Sequence, residues 1–146
     1  MIGIVLIGHG HICSEMRAAL EHVVGEQPLV EVLDVLDNGN LDKLSAAVKS
    51  KVRACDVGHG VLILADMFGG TPCNIAMGCL QTDRVEVISG FNLPLLIKAA
   101  SLRTSEKHLP TLAQQVLEAG RQYMHVSTSI IDEVPAAKVN SSGSAA

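Results

Sequence analysis

Short apolar runs alternate with segments of helical periodicity, and this alternation most limits what the chain can fold into. The runs predict strands at residues 2–7, 30–36, 60–65 and 85–88. The segments after them carry apolar residues on one helical face, as at Met16, Leu20, Val23 and Val24. Such alternation is typical of a parallel sheet, and four strands are too few for an eight-stranded barrel. We therefore expect an α/β protein with an open, doubly wound sheet in the order 2-1-3-4.

The C-terminal part of the chain breaks this rhythm. Residues 124–131 follow the last predicted helix and alternate polar with apolar side chains. This pattern predicts one further strand at an edge of the sheet, paired antiparallel. Residues 132–146 are mostly small and polar. We therefore expect a domain over residues 1–131 and a flexible tail over 132–146.

Composition excludes several classes of function. Lys and Arg number 11 against 15 Asp and Glu, so the net charge of −4 disfavours a basic surface for nucleic acid or anionic lipid. The only aromatic residues are Phe68, Phe91 and Tyr123, too few for platforms that stack bases. No apolar run approaches the ~20 residues of a membrane span, and the N-terminus lacks the basic start of a signal peptide.

The cysteine pattern indicates a reducing compartment. The chain has four cysteines and no C-x-x-C pair. They are Cys13, Cys55, Cys73 and Cys79. This usage predicts reduced, mostly buried thiols in a cytoplasmic protein.

The ends of the first and third predicted strands indicate where chemistry takes place. In open α/β sheets, ligands bind beyond the carboxyl ends of strands, where the winding direction reverses. The first strand leads into His9 and the third into Asp66. A histidine can serve as nucleophile, proton carrier or metal ligand, and a neighbouring carboxylate can orient its ring. The alternative is an ordinary loop histidine and an aspartate that closes a turn.

The residues after Asp66 are suited to binding an anion. Gly69, Gly70, Thr71 and Pro72 lead into the next predicted helix, with Thr71 as the expected N-cap. Free amides, the positive end of the helix dipole and a hydroxyl favour a phosphoryl group there. Ordinary helix capping explains the same residues. No G-x-G-x-x-G or Walker lysine motif occurs, which disfavours a site for a nucleotide pyrophosphate.

His11 raises a second possibility for the site. It forms an H-x-H pair with His9, and Asp66 could add a third ligand, as in a metal-dependent hydrolase. No further cluster of ligands on the other strands completes such a shell, so we expect no metal. A non-catalytic module that senses phosphate is the third class of function. The other histidines, expected to be solvated, are His22, His59, His108 and His125.

Three stretches of the sequence together resemble the IIA component of the mannose family of the bacterial phosphotransferase system. They read IGHGHICSEM, LADMFGGTPCNIA and VEVISGFNLPLL. The combination of D-x-x-G-G-T-P-x-N-x-A with G-x-N-L-P carries the resemblance, which covers residues 1–131. The strand pattern places the loop at residues 89–94 at the same edge of the sheet as His9, and the alternative for this loop is simply the capped start of a helix.

The resemblance implies a carrier that is phosphorylated on histidine. Its members accept a phosphoryl group from the phosphocarrier protein HPr and pass it to a IIB domain, without a cofactor. His9 would be the phosphorylated residue and Asp66 would orient its ring, while Gly69, Gly70 and Thr71 would hold the phosphoryl oxygens. The chain ends after a short tail, so we expect the acceptor to be a separate IIB protein, in sugar uptake or its regulation. The family's last strand is exchanged within a homodimer, which would account for residues 124–131.

Two residues depart from the family's pattern. Gly8 stands where members often carry Thr or Ser, so one hydroxyl contact to the phosphoryl group would be missing. His11 is not part of the pattern and is a second candidate for the modified histidine. The resemblance thus implies the chemistry but leaves the role of His11 open.

Overall fold

The computed structural model describes residues 1–37 and 39–131. Four strands form one sheet, and their bounds are β1 (Gly3–His9), β2 (Val30–Val35), β3 (Val61–Ala65) and β4 (Val85–Ser89). All neighbouring pairs are parallel, and the strand order is β2-β1-β3-β4. The predicted open sheet and its order are therefore confirmed.

Helices cover both faces of the sheet. They are α1 (Ile12–Val24), α2 (Leu41–Cys55), α3 (Thr71–Met77), α4 (Leu93–Leu102), α5 (Leu109–Gln122) and the single turn α6 (Ser127–Ile130). Side chains of a strand alternate between the two faces of a sheet. In β1, Ile4 and Leu6 therefore join the core under α1, α4 and α5, whereas Val5 and Ile7 join the core under α2 and α3. Burial on both faces explains why these strands have short, nearly uninterrupted apolar sequences.

Side-chain caps fix where two of the helices begin. Asn40 accepts a hydrogen bond from the amide of Lys43 at 2.9 Å, and Asn92 accepts one from Leu95 at 3.0 Å. The prediction that Thr71 caps α3 is wrong. Gly70 is the N-cap, in extended backbone, and Thr71 is the first helical residue, so its hydroxyl does not cap the helix.

The predicted strand at residues 124–131 does not form in the single chain. Its residues are exposed, and Ser127–Ile130 make one helical turn instead. A strand needs an edge with which to exchange hydrogen bonds, and this segment pairs with none of the four strands in the described part of its chain. The tail predicted at residues 132–146 lies outside the described residues.

Two expectations from composition can be compared with the described part of the chain. No helix within it combines the length and the apolar character that crossing a membrane requires. Cys13, Cys55 and Cys73 are buried and Cys79 is half-buried, and all four are free thiols. Burial raises the pKa of the Cys13 thiol to about 12 and that of Cys55 to about 11. The prediction that the cysteines are mostly buried is therefore confirmed.

A buried arginine holds the edge of the sheet opposite to the predicted site. Arg103 follows α4 and is fully buried. Its guanidinium donates to the carbonyl oxygens of Ile2 and Leu29 at 3.3 Å and of Pro28 at 2.6 Å, and to the amide oxygen of Gln27 at 3.1 Å. Arg103 therefore ties the start of β1 to the connection that leads into β2.

We expect Arg103→Met to lower the free energy of unfolding by about 3 kcal/mol, because methionine leaves several carbonyl groups without a donor. Urea denaturation followed by circular dichroism measures the change. Arg17→Met is the matched control, since the side chain of Arg17 is 40% exposed and makes only a 3.9 Å contact with Glu21. Equal stabilities of the two variants would contradict the role given to Arg103.

Candidate functional site

His9 and Asp66 meet at the carboxyl edge of the sheet, as the sequence predicts. His9 ends β1, and Asp66 directly follows β3, the neighbouring strand. One carboxylate oxygen, Oδ2, accepts from the backbone N–H of His9 at 2.9 Å and lies 2.7 Å from Nδ1 of the ring. The side chain of His9 is 47% exposed and that of Asp66 only 10%. The carboxylate thus holds the ring from its buried side, and the opposite edge of the ring faces solvent.

The environment of Asp66 keeps its carboxylate ionised. Burial by itself would raise the pKa of Asp66. Hydrogen bonds from the backbone and ring of His9, together with the amide of Met67 at 2.8 Å, outweigh burial and lower this pKa below its usual value. A charged carboxylate at Nδ1 favours the tautomer that carries its proton there. Nε2 is then the ring nitrogen with a free lone pair.

The Gly-Gly-Thr segment lies against the outer side of this ring. A Cβ atom on Gly70 would come within 2.9 Å of Cε1 and 3.6 Å of Nε2 of His9. Only glycine therefore lets the backbone approach the histidine so closely. Gly69 has a φ of +86°, which allows the chain to turn before α3. The structure thus brings together His9, Asp66 and the residues predicted to bind an anion.

His11 lies at the same edge but contacts a different carboxylate. Its Nδ1 is 3.4 Å from Oδ2 of Asp34 in β2, and its side chain is 71% exposed. Asp34 also accepts hydrogen bonds from the backbone amide of Ser14, at 3.1 Å, and from its hydroxyl. Burial would raise the pKa of Asp34, but the hydrogen bonds from Ser14 and His11 lower it overall. Sequence reasoning missed Asp34 and Ser14.

This arrangement does not support the H-x-H metal site. His9 and His11 pair with separate carboxylates on the two sides of β1. Across residues 1–37 and 39–131, no three His, Cys, Asp or Glu side chains are grouped so that they could hold a metal ion. The remaining histidines, at positions 22, 59, 108 and 125, are exposed as expected.

Several apolar side chains follow the strands at the same edge of the sheet as the two histidines. Met67 and Phe68 are exposed, at 54% and 74%, whereas Phe91 and Leu93 are half-buried. Ile12, at the start of α1, is also exposed. Exposed apolar side chains of this size around a polar centre are typical of a surface that binds other proteins.

We expect Asp66→Asn to lower the free energy of unfolding at pH 7 by about 1 kcal/mol, because the amide loses the charge that its three hydrogen-bond donors favour. The folded pKa of Asp66 is lowered, so its stabilising effect is complete above the ordinary aspartate pKa of about 3.9. The effect is lost as the pH falls through the lower folded value.

Urea denaturation from pH 7 down to pH 2 measures this difference. Glu118→Gln, on the exposed face of α5, is the control for losing one carboxylate. A difference between Asp66→Asn and the wild-type chain that stays constant across this range would contradict the expectation.

Comparison with known proteins places the chain in a family. A model of the family "PTS system fructose IIA component" matches residues 3–123. The "PTS system mannose-specific EIIAB component" of Escherichia coli K12 is 30% identical over 122 residues, which are 83% of this chain but only 38% of that protein. The chain therefore corresponds to well under half the length of this relative.

A shorter relative and a crystal structure match over most of their length. The "PTS system fructose-specific EIIA component" of Bacillus subtilis is 26% identical over 94% of both chains. The structure of phosphotransferase system component EIIA from Streptococcus agalactiae has a TM-score of 0.80 and 24% identity, covering 88% of this chain and 99% of that one. That structure supports the fold, and the family match confirms the resemblance drawn from the motifs. This chain belongs to the PTS system fructose IIA component family, whose members are sugar-specific components of the phosphotransferase system.

Proposed function

We propose that this chain is a phosphohistidine carrier and that His9 takes the phosphoryl group on Nε2. The observation that carries the proposal is the 2.7 Å contact between Nδ1 of His9 and Asp66. It holds one ring nitrogen, and among the described residues no hydrogen-bond partner contacts the other. The histidine is therefore both oriented and open to a second protein, which a nucleophile for intermolecular transfer requires.

The transfer step needs little covalent machinery beyond this pair. The lone pair of Nε2 attacks phosphorus, while the bond from phosphorus to the donor's leaving atom breaks and its electron pair stays with the donor. The ring becomes positively charged as the new P–N bond forms, and the Asp66 carboxylate at Nδ1 stabilises this charge. Asp66 remains ionised throughout, as its lowered pKa favours.

Gly69, Gly70 and Thr71 would hold the phosphoryl oxygens. Gly70 lies close to Nε2, so a group bonded to that nitrogen would extend over the first turn of α3. No side chain caps this turn, and its first backbone amides have no partner within the helix. Pro72 lacks an N–H, which leaves the amides of Gly70, Thr71 and Cys73 as candidate donors.

The proposed partners are HPr as donor and a separate IIB protein as acceptor, in sugar uptake or its regulation and in the cytoplasm. Both would dock in turn on the apolar surface around His9, formed by Met67 and Phe68 with Phe91 and Leu93 beside them. One apolar surface can bind two different partners in turn, because apolar contacts do not require matching hydrogen bonds in each partner.

We also propose a homodimer in which residues 124–131 cover the partner's sheet edge. β4 is an edge strand of the four-stranded sheet, with β3 as its neighbour. The end of the described chain is exposed and contains large apolar side chains, namely Tyr123, Met124, Val126, Ile130 and Ile131. In a dimer, the exposed apolar segment of each subunit could pair with the open edge of β4 in the other subunit.

We expect His9→Ala to abolish phosphorylation, because no other ring nitrogen is held by Asp66. The purified chain is incubated with phosphoenolpyruvate, enzyme I and HPr, and its intact mass is measured. The wild-type chain should gain one acid-labile phosphoryl group, and Asp66→Asn should gain it about tenfold more slowly. His22→Ala, on the far end of α1, is the matched control and should behave as wild type.

Other outcomes would identify the alternative functions. A wild-type chain that binds inorganic phosphate but never gains mass would favour a phosphate-sensing module. Stoichiometric zinc lost from His9→Ala would favour a metal-dependent hydrolase. Continued modification of His9→Ala would show that another residue accepts the phosphoryl group.

Sedimentation equilibrium at micromolar concentration tests the homodimer. The wild-type chain should sediment as a dimer, and Val126→Asp should shift it towards monomer because a charge would be buried in the contact. Glu118→Lys, an exposed change on α5, is the control and should leave the dimer intact. A wild-type monomer would exclude the proposed exchange.

A further inference from the structure

Two carboxylates flank the end of β1, and each takes one histidine. Asp34 in β2 lies beside Gly8 in the register of the sheet. On the other side, β3 pairs Ala65 with Ile7, so Asp66 follows beside Gly8 as well. His9 contacts Asp66 and His11 contacts Asp34, each through Nδ1. The second pair repeats the chemistry of the first, and the function proposed above does not use it.

The fold does not depend on the ring of His11. His11 is the N-cap residue of α1, yet its side chain makes no capping hydrogen bond. Asp34 serves that end of the helix instead, through the backbone amide and hydroxyl of Ser14. The imidazole of His11 is therefore an addition to an already capped helix and remains exposed to solvent.

The negative charges near His9 would be stabilised by a nearby cation. A phosphoryl group brings close to two negative charges at neutral pH. Asp66 and Asp34 already place two carboxylates at this edge of the sheet. The loops that join the strands to the following helices here are residues 10–11, 36–40, 66–70 and 90–92, and they contain no lysine or arginine. His11 is the one residue in these loops that can carry a positive charge.

His11 is close enough to reach a group on His9. Only Gly10, with a φ of +58°, separates the two residues, so their Cα atoms are at most about 7.6 Å apart. The 3.4 Å contact with Asp34 is longer than an ordinary hydrogen bond, which makes it a loose tether. Gly8 has no side chain that could contact the phosphoryl group instead. There is also no room for one, since a Cβ at this position would meet Sγ of Cys13 at 3.0 Å and Cβ of Asp66 at 3.1 Å.

We infer that His11, in its protonated form and tethered to Asp34, donates its Nε2–H to an oxygen of the phosphoryl group as that group moves to or from His9. This inference rests on the proposed function of His9. His11 forms no bond to phosphorus and keeps both of its protons. It stabilises the charge on the transferring group, and its loose contact with Asp34 lets the ring turn from the β2 side of β1 towards His9.

The test measures phosphoryl transfer from phosphorylated HPr in rapid-quench experiments at saturating donor. His11→Gln should lower the transfer rate constant about tenfold while changing the KM for HPr little, because the contact is made to the moving group. His11→Lys should restore most of the rate, since it returns a cation. His22→Gln is the matched control on the same helix, and thermal melting should show all variants equally folded.

Several results would overturn the inference. A wild-type rate in His11→Gln would remove any role of the ring in transfer. Equal losses in His11→Gln and His11→Lys would show that the shape of the ring matters and its charge does not. A second phosphoryl group mapped to His11 by mass spectrometry would make it an acceptor. A wild-type chain that accepts no phosphoryl group at all would instead overturn the proposed function of His9.

Discussion

The position of β1 between β2 and β3 is the constraint on which the site depends. Parallel pairing on both sides places the carboxyl ends of three strands at one edge of the sheet. It sets Asp34 and Asp66 on either side of Gly8, whose lack of a side chain leaves room for Asp66 and for the start of α1. Each histidine therefore contacts a carboxylate that the neighbouring strand already places beside β1. The geometry of the site follows from the register of the strands more than from the loops that carry the histidines.

Polar side chains hold β1 at both of its ends, while its centre is purely apolar. At the start, the guanidinium of Arg103 binds the carbonyl oxygen of Ile2. At the finish, the Asp66 carboxylate binds the backbone amide of His9. Both charges are taken out of water, which is costly unless their hydrogen bonds are satisfied. Because these bonds go largely to backbone groups, they fix the strand along its axis, and the apolar core alone would not do so. His9 is thereby held by its main chain as well as by its ring.

The sequence predicts the fold and the His9–Asp66 pair for one physical reason. A strand buried on both faces has a recognisable apolar run, and the residue that follows it must lie at the carboxyl edge. Asp34 escaped prediction because it lies within the run at 30–36, where a polar residue in an edge strand is read as solvated; only the register shows it beside Gly8. Residues 124–131 were predicted as a strand from alternation alone. Alternation indicates which sides of a strand face water, but it does not show which strand edge would pair with it, and in the described residues this segment pairs with neither edge of the sheet.

The absence of lysine and arginine from the four loops fits a carrier better than an enzyme that retains its product. A carrier must release its phosphoryl group again. Contacts that stabilise the phosphohistidine and the transition state of transfer equally do not lower the activation free energy, so they do not speed up this release. A permanent guanidinium with two parallel hydrogen bonds would stabilise the resting phosphohistidine strongly. A loosely tethered imidazole differs from it because it can turn towards the group only during transfer. For reversible transfer between two proteins, a weak and movable cation is therefore the better choice than a strong and fixed one.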